Sequence, residues 1–176
     1  MHTIYTIGHS TRSSEQFLDL LKAHGIEELV DVRTIPHSSH SPQFGQEELA
    51  ASLKQAGIDY VHLGKLGGLR HSRKDSVNLG WHNASFRGFA DYMATPEFQE
   101  GLDELRAIAG KKRVAIMCAE AVPWRCHRSL IADALTTQGW QVLPILHIQS
   151  RKTASPHELT PFLKVQDGKL TYPASS

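Results

Sequence analysis

A helical segment that ends at a glycine and is followed by an apolar strand recurs four times along this chain of 176 residues. Glycine is typical of the position just after a helix, because it adopts the left-handed backbone conformation without a steric cost. Regular alternation of helices and strands favours a parallel sheet, whose strands must be joined by crossover connections. We therefore predict an α/β fold with a single domain over residues 1–176. The predicted domain has three layers: a mostly parallel sheet of about five strands lies between helices on both of its faces. A small β-hairpin follows at the C-terminus.

Particular residues mark the ends of several predicted elements. Ser13 with Gln16 three positions later forms the capping-box pattern that begins a helix. Thr95 followed by Pro96 marks another helix start. A strand is predicted over 140–146, and Pro144, which has no backbone N–H, predicts that this strand is bulged or lies at the edge of the sheet.

Two stretches depart from this alternation. Asp167-Gly168 predicts a C-terminal hairpin over about 162–172. The stretch of about 63–85 is longer than most loops in compact domains, and such loops are usually functional. Against the single acid Asp75, it carries four basic residues: Lys65, Arg70, Arg73 and Lys74.

Composition excludes several classes of protein. The formal net charge of +1 is too small for a protein that coats nucleic acid. No apolar run approaches the roughly 20 residues that span a bilayer, and the N-terminus lacks a signal-peptide pattern. We therefore expect a cytoplasmic protein with no membrane partner, in which the two cysteines are reduced thiols.

Histidine is unusually frequent, with 11 residues in the chain. Histidine titrates near neutral pH and binds metals. The carboxyl ends of parallel strands share one edge of a sheet, where ligands usually bind. Seven histidines lie beside loops that follow predicted strands: His9, His37, His40, His62, His71, His82 and His127. Their placement predicts one polar crevice at that edge.

Other residues suited to binding follow the same strands. After the first three strands come Gly8, His9 and Ser10, then Asp31 and Arg33, and then Gly67 and Gly68.

The densest segment runs from Cys118 to Arg128, from a strand end into a helix predicted over Cys126–Thr137. A thiol at a helix start beside basic side chains is favoured as the thiolate. The free N–H groups and the arginines at such a start also suit a phosphate or carboxylate. Glu120 is suited to general acid or base catalysis. The basic residues of this segment are Arg125, His127 and Arg128.

Named motifs fit this segment incompletely. A phosphatase-type loop needs a cysteine and an arginine six positions apart, and Trp124 occupies the position six after Cys118. The two cysteines and the adjacent histidine lack the usual spacing of a zinc site. Gly8 is not followed by the second and third glycines of a dinucleotide-binding turn. A disulfide between Cys118 and Cys126 stays open as a redox alternative.

Structural interpretations of the same residues also stay open. Cys118 can be a buried apolar residue at a strand end. Asp31 and Arg33 can form an internal ion pair that ties two loops together.

Taken together, these residues resemble the family called domain of unknown function 488. The resemblance rests on Thr6-Ile7-Gly8-His9-Ser10, Asp31-Val32-Arg33 with Pro36, Leu66-Gly67-Gly68, and Cys118-Ala119-Glu120 through Cys126-His127-Arg128. The stretches Gly80-Trp81, 87–93 and His147-Ile148 are similar as well. The resemblance implies a small bacterial or archaeal protein without an established activity, and it leaves the identity of any cofactor open.

We predict an enzyme, a hydrolase or transferase, whose substrate is anionic: a nucleotide, a nucleic-acid fragment or a phosphate-like small molecule. Cys118 acts as nucleophile or redox thiol together with Cys126, and Glu120 and His9 form the acid-base pair. The predicted substrate-binding residues are Gly8, Ser10, Asp31, Arg33, Gly67, Gly68, Arg125, His127 and Arg128.

Two alternatives belong to other classes of protein. One is a non-catalytic module that binds nucleotide or nucleic acid through the basic loop. The other is a metal-binding protein that uses Cys126 and His127.

Overall fold

The computed structural model describes residues 3–37, 39–138 and 145–174. Within these ranges there are eight strands and five α-helices. The strands are β1 (Ile4–Gly8), β2 (Glu28–Asp31), β3 (Asp59–His62), β4 (Val114–Cys118), β5 (Ile145–Ile148), β6 (Ala154–Pro156), β7 (Lys164–Gln166) and β8 (Lys169–Thr171). The helices are α1 (Ser14–Ala23), α2 (Gln46–Gln55), α3 (Ala84–Tyr92), α4 (Pro96–Ala109) and α5 (Arg128–Thr137).

Six of these strands form one sheet in the order β3-β2-β4-β1-β5-β6. The first five are parallel, and β6 pairs antiparallel with β5. The remaining two strands, β7 and β8, form a separate antiparallel hairpin. The predictions of an α/β class, a mostly parallel sheet and a C-terminal hairpin are therefore confirmed.

Side-chain alternation along the strands divides the core into two parts. In β4, Ile116 and Cys118 belong to the part covered by α3, α4 and α5, whereas Ala115 and Met117 belong to the part covered by α1 and α2. Successive side chains of a strand point to opposite faces of the sheet, so a strand that is buried on both faces contributes to both parts of the core. The three-layer arrangement is confirmed, and Cys118 points toward the layer that contains α5.

Several segments with local sequence signals also form the predicted structures. Ser13 and Gln16 form both hydrogen bonds of the capping box at the start of α1. Thr95 caps α4, and Pro96 is its first residue. Asp167 and Gly168, with φ of 52° and 78°, make the two-residue turn between β7 and β8.

One predicted boundary and one predicted position in the sheet are wrong. The last helix begins at Arg128 rather than Cys126, because residues Pro123–Arg125 form a 3₁₀ turn and the Cys126 N–H donates to the Pro123 carbonyl. The last predicted strand of the alternation is expected to be bulged or to lie at a sheet edge, and its described part, β5, does not lie at an edge because it pairs with a strand on each side. Pro144, on which the edge prediction depended, lies outside the described residues.

Gly8 lets the loop after β4 pass close to β1 at the carboxyl edge of the sheet. It pairs with Cys118 across β1 and β4. A Cβ at this position would lie 1.9 Å from the Glu120 carbonyl oxygen. The loop that follows β4 therefore crosses β1 at a distance that excludes any side chain at position 8.

We expect Gly8→Ala to lower the free energy of unfolding by about 3 kcal/mol, because relief of the overlap requires a backbone shift. Urea unfolding measures the change. Gly110→Ala is the matched control, since its Cβ would meet atoms at 3.4 Å or more and its φ of −69° suits alanine. Equal effects of the two substitutions would contradict the close approach.

Candidate functional site

An open crevice of about 640 Å³ lies beyond the carboxyl ends of β2 and β4. Its lining combines the loop after β2, the loop after β4 and part of the long loop before α3. The predicted site residues that line it are Arg33, Gly68, Cys118, Glu120, Arg125, Cys126 and His127.

The two cysteines meet in this crevice. Cys118 and Cys126 are almost fully buried, and the structure joins them as a disulfide with their Cα atoms 7.2 Å apart. The structure therefore contains the disulfide that the sequence left open as an alternative to two reduced thiols.

Arg128 lies fully buried behind the cysteine pair and holds the loop that follows β4. Its Nη1 donates to Cys118 Sγ at 2.8 Å and also to the Glu120 carbonyl, and its Nη2 donates to the Ala121 carbonyl at 3.0 Å. Its Nε donates to Thr6 Oγ1 at 3.1 Å. Burial lowers the pKa of Arg128 to about 10, so the guanidinium stays charged at neutral pH. Arg128 thus positions Cys118 from inside the protein, whereas the sequence suggested a direct contact with substrate.

Asp31 and Arg33 form the internal ion pair that the sequence also allowed. Arg33 Nε and Nη2 donate to the two Asp31 oxygens at 2.9 and 2.7 Å, and Tyr60 donates to Oδ2 at 2.6 Å. Burial and this hydrogen bond raise the pKa of Tyr60. Arg33 Nη1 is buried without a hydrogen-bond partner among the described residues. This pair therefore leaves one buried donor unused on a side chain that lines the crevice.

His9 lies behind the crevice rather than in its lining. It is 3% exposed and stacks on Phe44, and its Nδ1 donates to the Ser10 carbonyl at 2.8 Å. Burial lowers the pKa of His9, so the ring is neutral at pH 7. Its Nε2 has no partner in the described part of the chain. In a neutral ring that donates from Nδ1, Nε2 is the nitrogen that can accept a proton, but His9 does not line the crevice.

His127 connects the loops after β2 and β4. Its Nε2 donates to the Val32 carbonyl at 2.8 Å, and its Nδ1 lies 3.6 Å from Cys126 Sγ. The ring also packs on Gly68, where a Cβ would approach its Nδ1 to 2.6 Å. Burial lowers the pKa of His127 to about 4. A neutral imidazole at this place serves as a spacer between the two loops.

The remaining predicted residues take different positions. Ser10 adopts a left-handed backbone with φ of 51°, which is rare for a residue with a side chain. Gly67 packs against Thr34. Glu120 and Arg125 are exposed in the crevice lining, and Glu120 Oε1 accepts from the Val122 N–H at 3.2 Å.

The basic loop contributes backbone and apolar groups to the crevice rather than its cations. Gly68 and Leu69 line the crevice. The nearby basic side chains are engaged elsewhere: Lys65 with Glu104, Arg70 over the ring of Tyr92, and Arg73 with Asp75.

Among residues 3–37, 39–138 and 145–174, no group of three or more histidine, cysteine or acidic side chains is arranged to hold a metal ion. Within the same ranges, no helix is both long and apolar enough to cross a membrane.

The sequence motifs and this arrangement agree with a comparison against known families. The family model described as Domain of unknown function DUF488 matches residues 13–135. The chain belongs to this family. The resemblance inferred from the motifs is thereby confirmed. No curated protein and no solved structure matches the chain.

Sequence reasoning missed part of this DUF488 crevice. The unpredicted lining residues with side chains suited to binding are Thr34, Ile35, Ser39, Leu69, Ser85 and Phe86. Ile35 and Leu69 are more than half exposed, so the crevice has an apolar rim. Helical spacing favoured packing for Phe86, and exposed apolar residues in a loop carry no periodic signal.

We expect acid to destabilise this DUF488 protein through His127. The folded-state pKa of about 4 lies below the ordinary 6.5. Between about pH 6.5 and about pH 4, the His127 side chain is therefore protonated in the unfolded state and neutral in the folded state. The free energy of unfolding should fall as the pH drops from about 6.5 to about 4, by about 3 kcal/mol at most for this group.

Urea unfolding at a series of pH values measures this fall. His127→Gln keeps a donor for the Val32 carbonyl but removes the titration, so its fall should be smaller. The exposed His71→Gln should follow the wild type. An undiminished fall in His127→Gln would contradict the assignment.

Proposed function

We propose that this protein is a thiol-dependent enzyme that acts on an anionic ester, such as a phosphate ester, in the crevice beyond β2 and β4. One observation carries the proposal: a buried arginine with an unused donor lines the same crevice as the cysteine pair. Arg33 is 6% exposed, and its Nη1 has no hydrogen-bond partner in the described ranges. A buried donor without a partner costs free energy, and an anionic ligand would satisfy it.

The charge around the crevice supports an anionic substrate. Arg33 and Arg125 line it, and the guanidinium of Arg128 lies behind it with uncharged hydrogen-bond partners. On the acidic side, Glu120 lies in the lining and Asp31 is paired with Arg33. Arg125 and the unused Nη1 donor of Arg33 therefore offer charged hydrogen bonds to a negatively charged substrate.

The rim supports a substrate with an apolar part. Ile35, Leu69 and Phe86 lie on the crevice wall. A nucleotide or an aryl phosphate offers a flat apolar group beside its charge, and such a ligand would cover these side chains while its anion meets the arginines.

The chemistry requires the reduced form of the pair. A low-mass dithiol reduces the disulfide to two thiols and is itself oxidised. The Cys118 thiolate then forms a bond to the electrophilic phosphorus or carbon of the ester, and the leaving oxygen departs with the bonding electrons and takes a proton from Glu120. Water next attacks the same atom and gives its proton to Glu120, and Cys118 leaves as the thiolate.

The binding of phosphate ligands to variants of the crevice and of the basic loop shows which of the two is the binding site. We expect adenosine monophosphate and inorganic phosphate to bind the reduced protein, with Arg125→Ala weakening both by about tenfold through loss of a charged hydrogen bond. Isothermal titration at low salt measures the dissociation constants. Arg73→Ala is the matched control, since Arg73 pairs with Asp75 outside the crevice. The opposite pattern would favour the non-catalytic module that binds through the loop.

Turnover tests the catalytic roles. We expect the reduced wild type to release nitrophenolate from p-nitrophenyl phosphate, and Cys118→Ala and Glu120→Gln to be slower by at least about 100-fold. Both variants should bind phosphate with wild-type affinity, and Arg73→Ala should keep wild-type turnover. Undiminished release by Cys118→Ala, or a wild type that binds phosphate without turnover, would overturn the catalytic proposal.

A further inference from the structure

A buried series of hydrogen bonds runs from Arg128 to Asp133, away from the crevice lining. We call it the buried relay. Its links are Arg128 Nε to Thr6 Oγ1 at 3.1 Å, Thr6 Oγ1 to His147 Nδ1 at 2.5 Å, His147 Nε2 to His157 Nδ1 at 2.9 Å, and His157 Nε2 to Asp133 Oδ1 at 2.7 Å.

Strand register builds the middle of the relay. Thr6 in β1 is the direct neighbour of His147 in β5. His157 follows β6, and its N–H donates to the Ile145 carbonyl at 2.7 Å. Since β6 pairs with β5, the antiparallel return of the chain places the second imidazole beside the first. The pairing of β1 with β5 and of β5 with β6 therefore places three consecutive members of the relay, Thr6, His147 and His157, beside one another.

The acidic end of the relay is fully hydrogen-bonded. Asp133 is completely buried and accepts from His157 at Oδ1. Its Oδ2 accepts from the hydroxyls of Thr160 and Tyr172 at 2.7 and 2.8 Å. Burial raises the pKa of Tyr172, so this hydroxyl stays a donor. A carboxylate that accepts several hydrogen bonds is stable as an anion in the interior.

One arrangement of protons satisfies every bond from the Arg128 end to the Asp133 end. A guanidinium can only donate, so Thr6 accepts from Arg128 and donates its own proton to His147 Nδ1. His147 then donates from Nε2 to His157, which donates from Nε2 to Asp133. Burial lowers the pKa of His147 to about 3, in agreement with a neutral ring. The relay therefore connects a cation to an anion through one hydroxyl and two imidazoles.

At the cationic end, the relay distinguishes the two sulfur atoms. Arg128 Nη1 donates to Cys118 Sγ at 2.8 Å, whereas Cys126 Sγ has the Arg128 backbone N–H at 3.5 Å and His127 Nδ1 at 3.6 Å. The other charged side chains of this loop, Glu120 and Arg125, are both exposed. A charge-assisted hydrogen bond stabilises a thiolate far better than a distant amide does.

We infer that the buried relay holds the Arg128 guanidinium against Cys118, and that this contact makes Cys118, rather than Cys126, the reactive thiolate of the pair. The inference deepens the proposed function and rests on its thiol chemistry. Thr6, His147, His157 and Asp133 act through Arg128 as positioning residues. Loss of the Thr6 hydroxyl would remove the acceptor of Arg128 Nε. The guanidinium would then be held only by the sulfur and by the Glu120 and Ala121 carbonyls of the loop, which fix its position less firmly.

The test is alkylation of each cysteine in the reduced full-length protein. Iodoacetamide is the probe, and mass spectrometry reads the rate at each position from pH 5 to pH 10. In the wild type we expect Cys118 to react about tenfold faster than Cys126 at pH 7, with a midpoint at lower pH. In Thr6→Val, the rate at Cys118 should fall about tenfold and its midpoint should rise, while the rate at Cys126 stays unchanged.

Thr6→Ser is the matched control, because it keeps the hydroxyl and should restore the wild-type profile. His157→Gln provides a second interruption if Thr6→Val does not fold. A faster Cys126 in the wild type, an unchanged Cys118 profile in the folded interrupted variants, or equal slowing of both cysteines would overturn the inference. The assay needs no substrate, so absence of turnover on p-nitrophenyl phosphate would refute the proposed reaction without changing this result.

Discussion

A fully buried arginine is the constraint on which the carboxyl edge of this sheet depends. The guanidinium of Arg128 is stable in the interior because carbonyls, a hydroxyl and a sulfur surround it. Those acceptors come from β1, from the end of β4 and from the loop after β4. Burial of a cation without its partners costs several kcal/mol. The loop that carries Glu120 therefore has one arrangement that satisfies the arginine, and the close approach to Gly8 follows from it.

The crevice lies between two differently built sides. On the side of β2, Asp31 neutralises Arg33 in direct contact. On the side of α5, the charge of Arg128 is connected to Asp133 through hydroxyl and imidazole groups. His127, kept neutral by burial, separates the two sides. The electrostatic character of the crevice thus comes from charges held behind its surface as much as from the exposed Arg125.

Local signals made the fold predictable, whereas long-range pairing hid part of the site. The capping box at Ser13 and the turn at Asp167-Gly168 depend on neighbours within a few residues, and both predictions are confirmed. The lining position of Cys118 follows from its place at a strand end. The sequence predicts Arg128 as a substrate-binding residue, because its burial depends on Thr6, which is 122 residues away. It predicts no functional role for His147 or His157 for the same reason, since strand order decides what they meet.

The family model and the folded domain cover different residues of the chain. Residues 13–135 carry the match, yet β1 precedes them and lies between β4 and β5 in the sheet. The strands after residue 135 supply the imidazoles that connect to Asp133. A fragment cut at the limits of the match would lose an inner strand. It would also take the Thr6 hydroxyl from Arg128 and the His157, Thr160 and Tyr172 side chains from Asp133. The part of the chain that can fold with its buried charges satisfied is therefore larger than the segment by which the family is recognised.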